Sequence, residues 1–157
     1  MRIAVPAETD ANESRVAATP ETVKKLIGLG ASVAVQAGAG KASGHMDAEY
    51  QAAGAQIQAS HQQVLADADI VLQVRRPRGQ DLAGLKKGAA ILALMDPYGQ
   101  QEAIQAIANT GAHAFAMEFM PRITRAQVMD VLSSQANLAG YRAVIDGAAE
   151  YGRALPM

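Results

Sequence analysis

The chain has 157 residues, half of them apolar, no cysteine, and a formal net charge of −1 from 14 Lys and Arg against 15 Asp and Glu. That length suits one domain with a sizeable core; the balanced charge argues against a broad nucleic-acid surface, and the missing thiols rule out a disulfide framework or thiolate metal site. No apolar run is long enough to span a bilayer, and Met1-Arg-Ile-Ala-Val-Pro6 reads as a short strand rather than a signal peptide, so direct membrane insertion by this chain is not expected.

In chain order, Arg2 to Val5 is a buried-type strand stopped by Pro6, and a polar loop from Glu8 through Arg15 leads to Thr19-Pro20-Glu21. There Thr19 caps a helix and Pro20 takes its first position; Val23, Leu26 and Ile27 point inward, and Gly30 closes it in a left-handed conformation. Ala31 to Gln36 is the second strand. The Gly38-Ala-Gly40-Lys41-Ala-Ser43-Gly44 loop lacks the spacing of a phosphate-binding P-loop, so its glycines are expected to permit turns before Asp47 caps a short helix ending at Gly54.

Ala55 to Ile57 is a weak strand, a helix lies around His61 to Ala66, and Asp69-Ile-Val-Leu-Gln-Val74 is the clearest buried strand. Arg75, Arg76 and Arg78 follow it around Pro77, either as a solvated loop or as cations able to attract an anion at the strand's carboxyl end. A helical turn from Leu82 to Leu85, a fifth strand from Gly88 to Met95, a helix from Gln100 to Ala108 and a strand through His113 to Met117 complete an alternating pattern. The pattern predicts an α/β fold: an open, mainly parallel sheet with helices on both faces, flavodoxin-like or Rossmann-like, ending in a long helix. Histidines 45, 61 and 113 lack the spacing of a helical metal pair, so no metal site is expected, and no nucleophile elbow is present.

The richest stretch runs from Ala116 to Tyr141. Pro121 biases Met120 toward an extended conformation and should begin a loop, while Thr124-Arg-Ala-Gln127 reads as a capping box that starts a helix at Arg125. On that helix Gln127, Asp130 and Ser133 recur at intervals of three, with Arg122 ahead of them on the loop. Such a set suits a planar carboxamide or ribose hydroxyls. The same residues also fit a bland role, with Gln127 only capping, Asp130 only favouring a helix N-terminus and Ser133 only marking a break. Ser133 or Ser134 is expected to begin a final helix reaching about Arg153, with an apolar face from Leu138, Tyr141, Ala143 to Ile145 and Ala148.

Glu118-Phe-Met-Pro-Arg-Ile-Thr-Arg-Ala-Gln-Val-Met-Asp-Val-Leu-Ser-Ser-Gln-Ala-Asn-Leu-Ala-Gly-Tyr-Arg-Ala-Val144 closely resembles the NAD(H)-binding alpha subunit of proton-translocating NAD(P) transhydrogenase, a relative of alanine dehydrogenase. The resemblance covers essentially this whole chain but only the N-terminal part of the family subunit. It implies that Arg122, Gln127, Asp130 and Ser133 meet the nicotinamide end of NAD(H), with Gln127 and Asp130 as the catalytic pair. Hydride would pass to or from NADP(H) on a partner subunit, coupled to proton translocation through membrane-embedded subunits, on the cytoplasmic face of the inner membrane. In the alanine dehydrogenase relatives a basic residue at the position of Arg75, where they carry lysine, and one like Arg15 bind the substrate carboxylate. Those enzymes also need a histidine near the end of the fifth strand, and Leu94-Met95-Asp96-Pro97 supplies none.

The domain expectation is an α/β domain over residues 1–133 and a long interdomain helix over 134–157, with the family's Rossmann NAD-binding domain and its glycine fingerprint absent. The chain is thus expected to be a truncated or incomplete product, or half of a split subunit, inactive alone and weak in NAD(H) binding. Its exposed apolar helix strip is expected to favour a homodimer. The alternatives are the substrate domain of an alanine dehydrogenase-like enzyme, or a non-catalytic dimerising α/β domain.

Overall fold

A computed structural model of the chain describes residues 1–154. Six strands form one sheet: β1 (Arg2–Val5), β2 (Ser32–Gln36), β3 (Gln56–Gln58), β4 (Ile70–Arg75), β5 (Ala90–Leu94) and β6 (His113–Ala116). Their order is β3-β2-β1-β4-β5-β6 and every neighbouring pair is parallel, the Rossmann order in which the chain turns from one side of the sheet to the other between β1 and β4. The α-helices are α1 (Pro20–Gly28), α2 (Asp47–Ala52), α3 (His61–Leu65), α4 (Gln101–Ala108) and α5 (Val131–Glu150).

Side-chain alternation divides the core into two layers, as a sheet covered on both faces requires. Ile3, Val5, Val33 and Val35 pack with Val23 of α1 and Tyr50 of α2. Ala4, Ala34, Val71, Ile91 and Ala93 face the other way, against Val64 and Leu65 of α3 and Ile107 of α4. Each fully buried valine or isoleucine stabilises the fold by about 1.5–3 kcal/mol relative to exposure. The edge strand β6 is less covered, and its Phe115 is 55% exposed.

Several local expectations are met by the geometry. Thr19 accepts a hydrogen bond from Thr22 N–H at the start of α1, and Gly30 follows that helix at φ +89°. Others need correction. Asp47 is the first residue of α2 rather than its cap; Glu49 reaches back to Met46 N–H at 2.6 Å, and Asp47 Oδ1 instead accepts from Gly38 N–H at 2.8 Å. Gly40 is not a left-handed turn residue either. A Cβ there would lie 2.7 Å from the buried Tyr50 ring, whose hydroxyl is fixed by donation to Ala18 O at 2.9 Å, so glycine is required by close packing.

The chain divides into two compact units between Ala116 and Met117. In the second unit the helix predicted from Arg125 is a 3₁₀ segment, Thr124–Met129, with no side-chain cap, so the Thr124/Gln127 capping box does not form. Helix α5 starts at Val131, ahead of the expected Ser133 or Ser134, because Asp130 supplies the cap: its Oδ1 accepts from Leu132 and Ser133 N–H at 3.1 and 3.0 Å. The helix ends at Glu150, and the last three positions of the span expected for it, 155–157, lie outside the described residues.

Candidate functional site

Within the second unit, Pro121, Arg122, Gln127, Asp130 and Ser133 line a single cleft of about 410 Å³. Pro121 sets its entrance, since its carbonyl accepts from Ile123 N–H at 2.9 Å and turns Arg122 outward. Ala126, the one buried residue of the 3₁₀ segment, anchors that turn and leaves Gln127 exposed beside it. The side-chain amide of Gln127 has no hydrogen-bond partner among the described residues, so its N–H₂ and carbonyl oxygen are both available to a ligand.

Asp130 divides its two oxygens between tasks. Oδ1 caps α5, while Oδ2 accepts from Ser133 Oγ at 2.6 Å. The Ser133 hydroxyl, helped by the N–H groups of Ser133 and Leu132 and by the Arg122 charge, holds the Asp130 carboxyl below its ordinary range, so it is an anion at neutral pH. The cleft therefore presents a cation, an uncommitted amide, a carboxylate and an oriented hydroxyl. A carboxamide can pair with the amide, and ribose hydroxyls can donate to the carboxylate or accept from the arginine. The capping expected only as the bland role of Asp130 is real, and it coexists with a free face on Oδ2.

The second group of predicted residues lies in the first unit, at the carboxyl ends of β1 and β4. Three residues of β4 span two of β5 between Leu72 and Arg75, a bulge that re-aims the end of the strand. There Glu8 from the loop after β1 accepts from Val74 N–H at 2.7 Å and Arg75 N–H at 3.1 Å. Burial, against these two bonds, pushes the Glu8 carboxyl up.

Arg15 and Arg75 are brought together here through a residue not predicted from the sequence. Glu13, with a side chain only 4% exposed, accepts from Arg15 Nε and Nη2 at 2.6 Å each and from Arg75 Nε at 2.8 Å. The Arg15 hydrogen bonds hold its carboxyl down at about 2. Arg76 donates to Met95 O and Asp96 O, and Arg78 pairs with Asp81 at 2.8 Å, so the basic run after β4 is engaged within the chain. The missed signal was an acid two residues before Arg15 in a loop leaving the first strand. Among the described residues no cluster of three or more His, Cys, Asp or Glu is placed to hold a metal ion.

This sheet order and these residues define a chain of the family described as "Alanine dehydrogenase/PNT, N-terminal domain", which matches over residues 4–139; the chain belongs to that family. The transhydrogenase branch stands nearer. The chain is 48% identical over 162 residues to a Rhodospirillum rubrum protein, the first of the parts of its NAD(P) transhydrogenase subunit alpha, covering all of this chain and 42% of that one. It superimposes on a crystal structure of transhydrogenase from Sinorhizobium meliloti with a TM-score of 0.93 and 55% identity, covering 100% of this chain and 47% of the other. The alanine dehydrogenase of Halomonas elongata is more distant, at 34% identity over 149 residues, 94% of this chain and 39% of that enzyme. The chain thus spans less than half the length of the relatives it matches.

Proposed function

We propose that this chain acts as the N-terminal segment of a transhydrogenase alpha subunit and that its Pro121–Ser133 cleft orients the nicotinamide of NAD(H). The observation that supports it best is the uncommitted Gln127 amide beside Asp130, Ser133 and Arg122 in one cleft. NAD(H), when bound, supplies the hydride chemistry; the protein's work is positioning. Gln127 pairs with the carboxamide and fixes the ring's rotation. Asp130, held by Ser133, accepts a ribose hydroxyl, and Arg122 offsets negative charge nearby. Correct orientation of this kind lowers the barrier because reacting atoms must be held near 3–3.5 Å.

In the assembled enzyme, hydride passes between this site and NADP(H) on a partner subunit, coupled to proton translocation by membrane-embedded subunits, with the segment peripheral on the cytoplasmic face. None of the described helices is long and apolar enough to cross a membrane, which agrees with that placement. Exposed Leu138, Tyr141 and Val144 on α5 favour a homodimer. The alanine dehydrogenase reading is weaker, because the residues immediately after β5, Met95-Asp96-Pro97, include no histidine.

The test is to graft residues 1–154 in place of the matching segment of the Sinorhizobium meliloti transhydrogenase. Arg122→Ala in that graft is expected to weaken NADH binding and slow hydride transfer together, each about tenfold. Unchanged binding and rate would remove Arg122 from the site.

A further inference from the structure

A helix with no buried face depends more on its ends and its own hydrogen bonds than one packed into a core. Helix α5 is in that situation. None of its residues from Val131 to Glu150 is buried, and Gly140 and Gly147 lower its helix propensity without being required by close packing, since a Cβ at either would meet nothing within 4 Å. Its first turn rests on Asp130. Oδ1 accepts from Leu132 N–H at 3.1 Å and Ser133 N–H at 3.0 Å, Oδ2 accepts from Ser133 Oγ at 2.6 Å, and the Asp130 carbonyl accepts from Ser134 N–H at 3.3 Å. The same two side chains, Asp130 and Ser133, line the cleft with Arg122 and Gln127, so two of its four polar groups are aimed only while that turn is formed.

We propose that occupation of this cleft and closure of the first turn of α5 are one coupled equilibrium, with Asp130 as the residue that joins them. The proposal rests on the nicotinamide role of the cleft and adds regulation to it. Oδ2 holds one hydrogen bond, from Ser133, and a carboxylate oxygen has room for a second. A ribose hydroxyl donating there selects the capped form over the frayed one, so the ligand draws the helix start into order. Such coupling is reciprocal. Whatever loosens α5, even at a residue that touches no ligand, weakens binding in the cleft, and whatever steadies α5 strengthens it. Contacts made along α5 by other protein thereby regulate the affinity of a site they do not line.

The test uses the grafted Sinorhizobium meliloti transhydrogenase, NADH as the probe, and hydrogen exchange read residue by residue by mass spectrometry. Saturating NADH is expected to slow exchange at the Leu132 and Ser133 N–H groups about threefold or more, and to leave Val144 to Asp146 unchanged. Ala136 is exposed on α5 and outside the cleft lining. Because glycine is a poor helix former, Ala136→Gly is expected to speed exchange at Leu132 and Ser133 and to weaken NADH binding about threefold. Asp130→Asn keeps a good capping residue but loses the Oδ2 acceptor, so the unliganded helix start should stay protected while the slowing by NADH disappears. Unchanged exchange at Leu132 and Ser133 on NADH binding to the unsubstituted graft would overturn the proposal. So would an Ala136→Gly graft that binds NADH as tightly as the unsubstituted one. Either result, with hydride transfer still slowed by Asp130→Ala, removes the coupling and leaves the nicotinamide role standing; parental transfer in Asp130→Ala removes both.

Discussion

Ile91 and Ile145 carry the same side chain in two different situations. Ile91 sits in β5 with no exposure, between β4 and β6 and under Leu82 and Ile107; Ile145 lies on α5 and is 41% exposed. The contrast extends to the units around them. In Met1–Ala116 apolar residues alternate into two layers, whereas no residue of α5 is buried. At 3.6 residues per turn, Leu138, Tyr141, Ile145 and Ala148 share one face of α5, and Ala136, Gly140, Ala143 and Gly147 the opposite one. Gln135, Arg142, Asp146 and Glu150 gather in one polar arc, while Ser134 and Asn137 fall along the first apolar face. One unit buries its apolar pattern, and the other leaves large apolar residues of α5 exposed.

The largest expected effect tests this directly. Ile91→Ala should cost about 3 kcal/mol of unfolding free energy, and Ile145→Ala less than about 1 kcal/mol, because only the first leaves a cavity in a packed layer. Urea unfolding of the two variants checks it, and equal losses would show that α5 is packed within the chain after all.

A smaller effect follows from acid. The Glu13 carboxyl, held at about 2 against an ordinary 4.5, contributes stability that is complete above pH 4.5 and is lost as pH falls toward 2. Glu8, pushed up by burial, works in the opposite sense, its contribution declining as pH rises from its unfolded value through its folded one. The difference between the unsubstituted chain and Glu13→Gln therefore isolates the Glu13 part, about 2 kcal/mol between pH 5 and pH 2 after allowing for half-exposed arginine partners. A constant difference across that range would mean the arginine contacts do not persist in solution.

The smallest effect concerns the second unit. Asp130→Ala should cost about 1 kcal/mol of helix stability, seen as lower helical circular dichroism, while Thr124→Ala stays within about 0.5 kcal/mol because Thr124 caps nothing. The reverse ranking would restore the capping box read from the sequence.

The first unit was largely legible because its signals are local: a capped Pro20, Gly30 beyond α1 and period-two apolar runs each act within a few residues. Glu13 was not legible, since its meaning comes from Arg75, which reaches it only once β1 and β4 are neighbours. Gly40 was misread for the same reason, its requirement being set by Tyr50 rather than by its own turn. In the second unit both Thr124 and Asp130 were chemically able to cap. The 3₁₀ turn around buried Ala126 moved the helix start to Val131 and so selected Asp130. The grouping of Gln127, Asp130 and Ser133 was visible as a spacing of three, with Arg122 ahead of them on the loop, and a 3₁₀ turn leading into an α-helix keeps such residues on one side.

Single-turnover hydride transfer in the grafted Sinorhizobium meliloti subunit, compared between the unsubstituted graft and its Gln127→Ala and Asp130→Ala variants under saturating NADH, tests the central claim most directly. Misorientation of the nicotinamide should slow transfer on the order of a hundredfold in each variant, with NADH affinity changed far less. Transfer at the parental rate in both variants would contradict the assignment of this cleft.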